Sequence, residues 1–347
     1  MSPRRRARVR PPARRGGRRG ASLLLLLIGM ALLGWAGWTY FGPAPGGKGV
    51  ASVILAKGAG TSQISDQLAQ AGVIRSQLLF ILAAKLGGGS LKAGEYAFGP
   101  GTSMARVLSD LRAGRVVRRF VTVPEGWTSG MAADAVARQA VLTGPVVAPP
   151  EGTLLPETYE IRRGEPRQAV LLRMREAQSR LLAQLWPARR PGLPFTTPQE
   201  AVTLASIVEK ETALPQERPR IAAVYVNRLR AGMRLESDPT VIYGLSRGRP
   251  LGRGITRAEL EEVTPYNTYQ VAGLPPTPIA NPGRAALEAV LNPPQTNELF
   301  FVADGAGGHA FAASFAEHQK NVARWREIER QRRASAAAVA PTPGRPG

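Results

Sequence analysis

The sequence of 347 residues contains no cysteine. This absence excludes disulfide bonds, thiolate metal sites and cysteine nucleophiles. Histidine is also scarce, because His309 and His318 are the only two in the chain. A metal centre built from several histidines, such as a zinc or di-iron site, is therefore excluded as well. The chain also lacks an internal repeat of the length that builds solenoid proteins.

Acidic residues are few, since 25 Asp and Glu stand against 46 Lys and Arg, and the formal net charge is +21. Such an excess suggests a nucleic-acid partner, but its distribution argues against one. Nine arginines fall within residues 1–20, with no acidic residue among them. The middle of the chain carries mixed charge and lacks the aromatic-plus-basic pattern of RNA-recognition motifs. We therefore predict no nucleic-acid partner.

Charge is absent from residues 21–41, which read ASLLLLLIGMALLGWAGWTYF. A helix of this length can cross a hydrocarbon core of about 30 Å. Trp35, Trp38 and Tyr40 lie at its far end, where amphipathic rings favour the membrane interface. A cleaved signal peptide is the alternative, but its apolar region would be shorter, and no A-x-A cleavage site follows here. The segment is therefore predicted to be a transmembrane anchor.

The basic arm at 1–20 precedes the apolar segment, so the positive-inside rule places the N-terminus in the cytoplasm. We expect a single-pass protein of the inner, cytoplasmic membrane with its main body in the periplasm or outside the cell. The arginines could also bind anionic lipid head groups, although a topology signal alone accounts for them. An extracytoplasmic body is a further argument against nucleic acid.

Apolar spacing and turn residues divide the rest of the chain into two predicted domains. A Gly/Pro linker at 42–50 leads to a small domain at 51–115, in which strand, helix, helix and strand precede a third helix. A larger domain at 116–330 begins with a strand and continues with helices interrupted by loops. Residues 331–347 are rich in Ala and Pro and are predicted to be disordered. The predicted fold class is α+β.

A helix with a clear start signal is predicted in the segment TTPQEAVTLASIVEKET, residues 196–212. Thr197 is a good N-cap, Pro198 suits the first helical position and Glu200 completes a capping box. At about 100° per residue, four side chains form one apolar stripe that faces the core. These are Ala201, Leu204, Ala205 and Val208.

Two acidic residues lie near the end of this helix, and neither points fully to solvent in that pattern. Glu209 falls on the rim of the apolar stripe, and Glu211 falls within it. Contact with apolar surface disfavours a charged carboxylate and raises its pKa, as a general acid near neutral pH requires. The alternative is structural, with both glutamates paired to nearby arginines such as Arg218, Arg220 or Arg228.

Three later segments carry polar and aromatic side chains in irregular surroundings. MRLESDPTVIYGL places Glu236 and Asp238 before a Pro-Thr turn and a β-branched segment. Residues 264–283 show no regular period and are predicted to be a long functional loop. Its side chains suited to sugar recognition are Tyr266, Asn267, Tyr269 and Asn281. Finally, LFFVADGAGGHAFAASFAEHQKNV predicts a strand, a Gly-rich turn, a second strand and a closing helix.

Four motifs together resemble the endolytic murein transglycosylase family, also described as YceG-like or MltG-type. They are IVEKET, LESDPTVIYG, YNTYQVAGLPPTPIANPG and FFVADGAGGHAF, in this order. The resemblance covers about residues 45–330. It implies a membrane anchor, a LysM-like subdomain at 51–115 and a catalytic domain at 116–330 that cleaves peptidoglycan glycan strands internally. It also implies one essential glutamate, which corresponds to Glu209.

The resemblance implies further site residues. Those expected to contact the glycan are Glu157, Glu236, Asp238, Thr240, Tyr243, Tyr266, Asn267, Thr268, Tyr269, Asn281 and His309. Those expected to support the site are Glu211, Thr212 and Arg228. This chain departs from the family pattern at Glu236, where Gln is common, and at Ser314 and His318-Gln319 in the last motif. The extra carboxylate of Glu236 could alter the pH dependence.

A lytic transglycosylase of this kind cuts the bond between MurNAc and GlcNAc with the muramyl C6 hydroxyl instead of water. One carboxyl then serves twice, as general acid and as general base, whereas an ordinary glycosidase needs two carboxyls. The resemblance requires no metal and no cofactor. It implies peptidoglycan glycan strands as the substrate and peptidoglycan synthases as protein partners.

Two other functions are alternatives. Gly244-Leu-Ser246-Arg-Gly248 matches the G-x-S-x-G pattern of serine hydrolases, with Asp304 and His309 following in order. The residues after it cannot begin the helix that such an elbow requires, and Asp304 lies only five residues from His309. The second alternative is a membrane-anchored glycan-binding or divisome scaffold protein in which Glu209 is structural. A role for His309 as a metal ligand is weaker than one in positioning substrate or Glu209.

Overall fold

The computed structural model describes residues 16–339, with side chains from 22 to 335. The chain divides into two compact units, and the boundary along the sequence falls between Arg118 and Arg119. Most of the predicted basic arm and the last eight residues of the predicted tail lie outside the described residues. Each unit is described by itself.

The first unit begins with helix α1, Gly16–Phe41. Within it, Ser22–Phe41 has a mean hydropathy of 1.8, and its leucines are exposed. By length and composition this stretch fits a single-pass membrane anchor. Trp35, Trp38 and Phe41 are exposed at its C-terminal end, which agrees with an aromatic end at the membrane interface.

The rest of the first unit has the predicted order of strand, helix, helix and strand. Strand β1 (Ala51–Leu55) pairs antiparallel with β2 (Gly94–Phe98), so that Ala51 lies opposite Phe98. Between them lie α2 (Thr61–Gln70) and α3 (Gln77–Leu86), and α4 (Met104–Ala113) follows. One face of each element contributes to an apolar core that includes Leu68, Phe80, Tyr96 and Leu108. The β-α-α-β prediction is confirmed, and the LysM-like identity stays a prediction.

The second unit is a mixed α+β structure. Its helices are α5 (Ser129–Ala137), α6 (Arg167–Leu185), α7 (Pro198–Glu211), α8 (Arg218–Arg230), α9 (Asp238–Ser246), α10 (Arg257–Glu261), α11 (Arg284–Leu291) and α12 (Phe315–Val339). Its strands form two antiparallel pairs, β3 (Arg119–Thr122) with β4 (Thr158–Ile161) and β5 (Phe300–Ala303) with β6 (His309–Ala312). The predicted hairpin and closing helix near the C-terminus are confirmed.

Two segments differ from the prediction. The Pro-Thr turn and β-branched segment after Glu236 form helix α9, with Asp238 in its first turn and Pro239 near its start. Both residues suit a helix N-terminus, because proline fixes a helical φ and a carboxylate favours the positive end of the helix dipole. Helix α12 continues through 331–339, which we predicted to be disordered, since Ala, Arg and Gln have high helix propensity.

Helix α7 lies at the centre of the second unit and packs against α8 and α11. All residues from 201 to 209 are buried, so the helix is enclosed on every side and not only along the predicted stripe. Apolar side chains such as Leu204, Ile207 and Val208 belong to the largest core of the unit. This central helix ends at the two glutamates and fixes their positions.

The capping box at the start of α7 is confirmed. The Glu200 N–H donates to Thr197 Oγ1 at 3.2 Å, and the Thr197 N–H donates to Glu200 Oε2 at 2.9 Å. A second N–H, from Thr196, also donates to Glu200 Oε2 at 2.8 Å. These bonds satisfy donors that a helix start otherwise leaves without partners.

Thr197→Ala should destabilise the second unit by about 1 kcal/mol, because it removes the N-cap acceptor of α7. For a domain of this size we expect the thermal midpoint to fall by about 2–4 °C, measured by scanning calorimetry. Thr196→Ala is the matched control, since it keeps the backbone N–H that donates to Glu200. Equal effects of both substitutions would contradict the capping argument.

Candidate active site

Glu209 lies in the last turn of α7, and its side chain is 3% exposed. Its Oε1 accepts a hydrogen bond from Arg218 Nη2 at 2.9 Å, and its Oε2 accepts one from the Gly283 N–H at 3.0 Å. Burial raises the pKa of this carboxyl, and the negative charge of Glu125 raises it further. The Gly283 N–H, Arg218 and Lys210 act in the opposite direction, but the net shift is upward. Glu209 is thus a carboxyl poised to hold a proton.

Arg218 is the first residue of α8, and it bridges two carboxylates. The same Nη2 that contacts Glu209 lies 3.2 Å from Glu125 Oε2. Glu125 lies after β3, and its side chain is 42% exposed, whereas that of Arg218 is 11% exposed. The Arg218 Nε is buried and has no hydrogen-bond partner among the described residues. Glu209 therefore has both features: the arginine partner that the structural alternative predicts, and the raised pKa that a catalytic acid requires.

Sequence reasoning missed Glu125. It lies 84 positions before Glu209 in the chain, and helical periodicity says nothing about contacts at such a separation. The available signal was the dipeptide Glu125-Gly126, a polar turn directly after a strand. A conformation with positive φ at Gly126 marks a tight turn in which a carboxylate can be aimed at a site.

Two glycines let backbone approach the Glu209 carboxyl closely. A Cβ on Gly126, which has a φ of 74°, would lie 3.6 Å from Glu209 Cγ and 3.3 Å from Lys210 Cδ. A Cβ on Gly283 would overlap the Glu125 carboxylate. Gly126 is also held in place, because its N–H donates to the Asn281 carbonyl at 3.0 Å. The absence of side chains at both positions therefore shapes the site.

Glu211, the second acid of the IVEKET motif, has a different environment. Its Oε1 accepts hydrogen bonds from Tyr225 Oη at 2.5 Å and Ser237 Oγ at 2.6 Å. Burial raises its pKa, against the effect of these two hydroxyl donors. No arginine or lysine forms an ion pair with it among the described residues. The carboxyl joins α7 to α8 and to the start of α9, which agrees with a supporting role.

A cleft of about 290 Å³ lies next to the end of α7. It is lined by Gly126, Thr128, Lys210, Pro239, Ile242, Tyr243, Gly248, Pro250, Leu251, Arg253 and Ile279. Gly126 and Lys210 belong both to this lining and to the surroundings of Glu209, so the cleft lies next to residues that contact or adjoin Glu209. Its wall combines apolar side chains with a few polar ones, as small-molecule and sugar sites do.

Tyr243, a predicted glycan-binding residue that is largely buried, lines this cleft, and Tyr266, another predicted one, packs against it. Their ring centroids are 5.0 Å apart, and the Arg247 guanidinium lies 5.6 and 5.4 Å from them. Burial and the nearby Glu151 carboxylate raise the pKa of Tyr243 to about 12. Tyr243 is therefore a neutral hydroxyl that donates to Glu151 Oε2 at 3.3 Å.

Asn281 is fully buried, so it does not offer its amide to a sugar as we predicted. Its Nδ2 donates to the Trp127 carbonyl at 3.0 Å, and its Oδ1 accepts the Leu154 N–H at 3.0 Å. These bonds tie the segment before α11 to the loops that follow β3 and precede β4. Its position fixes Gly283 two residues later, and hence the N–H that contacts Glu209.

Thr240, Asn267 and Thr268 are also buried, and their predicted contact with glycan is corrected in the same way. Asn267 Nδ2 lies within 3.1 Å of three backbone carbonyls, those of Glu259, Leu260 and Glu262. Thr268 Oγ1 accepts the Ser237 N–H at 3.0 Å and lies 2.9 Å from Thr240 Oγ1. These three residues shape the long loop and the start of α9 from inside.

The predicted residues that remain accessible form a separate group at the start of α9. Glu236 is exposed and pairs with Arg228 at 3.0 Å, in a left-handed conformation with a φ of 53°. Asp238 is exposed and accepts a hydrogen bond from Tyr269 Oη at 2.7 Å. Arg228 also donates to the carbonyls of Leu235 and Leu299, so it supports this turn.

Glu157 lies apart from this group. It is exposed just before β4, where its carbonyl accepts the Val123 N–H at 3.0 Å. No contact of its carboxylate with Glu209 or with the cleft lining is present among the described residues. Its role in binding stays a prediction.

His309 and Thr212 meet at Glu217, the residue before Arg218. His309 Nδ1 lies 2.7 Å from Glu217 Oε2, and the backbone N–H of His309 donates to Glu217 Oε1 at 2.8 Å. Thr212 Oγ1 donates to the same carboxylate at 3.2 Å. The hairpin β5–β6 therefore contacts the residue directly before α8, and the predicted role of His309 in the site stays a prediction.

The serine-hydrolase alternative does not survive this geometry. Ser246 ends helix α9 instead of standing between a strand and a helix, and its Oγ lies 2.9 and 2.6 Å from the carbonyls of Ile242 and Arg249. Asp304 accepts the N–H groups of Ala306 and Gly308, and His309 pairs with Glu217. Among the described residues, no three Asp, Glu or His side chains are grouped so as to hold a metal ion.

A family profile and several named proteins are similar to this chain. A family profile described as the YceG-like family matches residues 53–324. A Bacillus subtilis protein named endolytic murein transglycosylase is 27% identical over 306 residues, covering 79% of this chain and 84% of that protein. A Streptococcus pneumoniae protein of the same name is 28% identical over 326 residues, covering 80% of this chain and 58% of that protein.

One solved structure is also similar, a putative yceG-like protein from Listeria monocytogenes. It is 27% identical, with a TM-score of 0.49, and the match covers 79% of this chain and 99% of that chain.

Glu211→Gln should stabilise the protein at neutral pH, because it removes a buried charge while the amide oxygen can still accept from Tyr225 and Ser237. The pKa of Glu211 is raised in the folded state, so the folded protein binds the proton more tightly than the unfolded chain. The wild type therefore loses stability relative to the variant as pH rises from the ordinary glutamate pKa to the raised one.

We expect the difference in thermal midpoint between variant and wild type to grow by a few degrees across that pH range and then stay constant. Glu176→Gln, an exposed substitution on α6, should show no such trend. A variant less stable than the wild type above this range would contradict the assignment.

Proposed function

The chain belongs to the YceG-like family, and we propose that it is an endolytic murein transglycosylase with Glu209 as its catalytic acid. Two relatives that bear this name support the activity. The observation that carries the assignment of the acid is the buried Glu209 carboxyl, whose pKa is raised and whose neighbours Gly126 and Lys210 line a cleft. A protonated carboxyl beside an open cleft can deliver a proton to a bound substrate.

The proposed reaction needs one carboxyl and no water. Glu209 gives its proton to the glycosidic oxygen between MurNAc and GlcNAc, and the bond from the muramyl C1 to that oxygen breaks. The muramyl C6 hydroxyl then forms a bond to C1, and its proton passes to the Glu209 carboxylate. The product ends in 1,6-anhydro-MurNAc, and Glu209 regains its starting state. The substrate acetamido group assists at C1, so no protein nucleophile is required.

The surroundings of Glu209 suit both halves of this cycle. Burial favours the neutral acid before bond cleavage, while Arg218 and the Gly283 N–H stabilise the anion that cleavage leaves. Tyr243 and Tyr266 offer ring surface to a sugar in the adjoining cleft. Exposed Asp238 and Glu236 would contact a glycan strand further along the start of α9.

We propose that the protein works on nascent glycan strands at the outer face of the inner membrane. Helix α1 would span that membrane with the N-terminus in the cytoplasm, and the small domain at 51–115 would have a LysM-like role in holding glycan. The reaction requires no cofactor. Peptidoglycan synthases are the proposed protein partners, because their product is this substrate.

Glu209→Gln should abolish formation of 1,6-anhydro ends, with a loss of at least about 10²-fold in rate, because the amide cannot supply the proton. The assay uses the full chain in detergent with purified peptidoglycan, and mass spectrometry identifies the ends. Glu176→Gln, exposed on α6, is the control and should retain wild-type activity.

Several outcomes would contradict the proposal. Activity that persists in Glu209→Gln would exclude this residue as the acid. Products with ordinary reducing ends would show hydrolysis and not transglycosylation. Binding of glycan without cleavage by the wild type would instead favour the scaffold function.

The membrane topology can be tested with single cysteines, since the chain has none of its own. A membrane-impermeant maleimide should label Lys48→Cys, in the exposed linker after α1, in intact spheroplasts. Ser2→Cys should react only after the membrane is permeabilised. Labelling of Ser2→Cys in intact spheroplasts would reverse the proposed orientation.

A further inference from the structure

Two contacts at Glu209 oppose the first step of the proposed reaction. Arg218 at 2.9 Å and the Gly283 N–H at 3.0 Å favour the anion, against the burial that raises the pKa of this carboxyl. A general acid must carry a proton when substrate arrives. A group that weakens the hold of Arg218 on Glu209 therefore helps Glu209 to remain protonated before bond cleavage.

The charged groups that face Glu209 come from three elements. Lys210 follows it on α7, Arg218 begins α8, and Glu125 lies in the turn after β3. The Gly283 N–H approaches from the start of α11 and carries no net charge. Among these groups, Glu125 is the one whose charge favours a protonated Glu209.

The geometry also makes Glu125 a competitor for the cation. Its Oε2 lies 3.2 Å from the same Arg218 Nη2 that contacts Glu209. Both carboxylates accept from this one guanidinium nitrogen, so the positive charge of Arg218 is shared between them and its attraction for Glu209 is weaker than it would be without Glu125. Gly283, where a Cβ would overlap Glu125, leaves space for that carboxylate to reach the arginine.

We propose that Glu125 is a positioning residue for the reaction: it draws Arg218 away from Glu209 so that Glu209 keeps its proton until the glycosidic bond breaks. This inference rests on the proposed function. When Glu209 has transferred its proton to the leaving oxygen, Arg218 pairs with the new carboxylate. When the C6 hydroxyl returns a proton to Glu209, Arg218 moves back to Glu125.

Replacing the charge of Glu125 tests the inference directly. In Glu125→Gln, Arg218 is left with one carboxylate partner, and the like charge near Glu209 is gone. The pKa of Glu209 should fall, so the high-pH limb of kcat/KM should move by about one pH unit toward acid. Activity above that limb should fall about 10-fold and recover as the pH is lowered.

Two measurements on the full chain in detergent separate this inference from the proposed function. The first is the pH profile of anhydro-end formation. The second is the pKa of Glu209 by ¹³C NMR of carboxyl-labelled glutamate, with the resonance assigned by its absence in Glu209→Gln. The NMR titration needs no substrate, so it reports on Glu125 even if the protein cleaves no glycan.

Control variants define the outcome. Glu125→Asp keeps the charge and should restore the Glu209 pKa toward that of the wild type, while Glu176→Gln should leave it unchanged. A Glu209 pKa that stays the same in Glu125→Gln would overturn the inference, even if activity falls. If Glu125→Gln lowers the pKa of Glu209 but the wild type forms no anhydro products, the positioning role is supported and the proposed function is refuted.

Discussion

The site at the end of α7 depends on how one guanidinium is shared, because Arg218 is the cation that offsets buried negative charge there. Removing a carboxylate from water favours its neutral form, and a nearby cation favours its charged form. At Glu209 the first effect is larger, although Arg218 lies 2.9 Å away. Opposing influences on one carboxyl suit the proposed role, in which Glu209 gives up a proton and then regains it.

Two of the groups that favour the charged form of Glu209 lie at the starts of two helices. Arg218 is the first residue of α8, and Gly283 is the residue directly before α11, so both helices that pack against α7 begin beside the Glu209 carboxyl. The start of α11 contributes the Gly283 N–H and the start of α8 contributes the Arg218 side chain, and both favour an anion at Glu209. The position of each start is fixed from elsewhere, by Glu217 and His309 for α8 and by Asn281 for α11.

Local signals in the sequence were sufficient for local structure. The capping box of Thr197 and Glu200, the β-α-α-β order of the small domain and the hairpin that carries His309 depend on neighbouring residues, and all were predictable. The helical pattern also placed Glu209 beside apolar surface. Long-range contacts had no such signal. Glu125 reaches the site through tertiary packing, and the enclosure of α7 on every side cannot be read from one stripe. Asn267 has the amide side chain expected of a sugar-binding residue, but its Nδ2 donates to backbone carbonyls of the loop.

Glu209 and Glu211 show why burial alone does not identify an acid. Burial raises the pKa of both carboxyls. The hydroxyls of Tyr225 and Ser237 both donate to Glu211 Oε1, so this oxygen is used in hydrogen bonds within the protein. These bonds link α7 to α8 and to the start of α9. The neighbours of Glu209 are a guanidinium with a second carboxylate partner and a backbone N–H, at the edge of a cleft. If the charge of Glu209 changes, Arg218 still has Glu125 as a partner, whereas the Glu211 carboxyl has, among the described residues, only the hydroxyls that link the helices. This difference supports the proposal that Glu209 transfers the proton while Glu211 holds the helices in place.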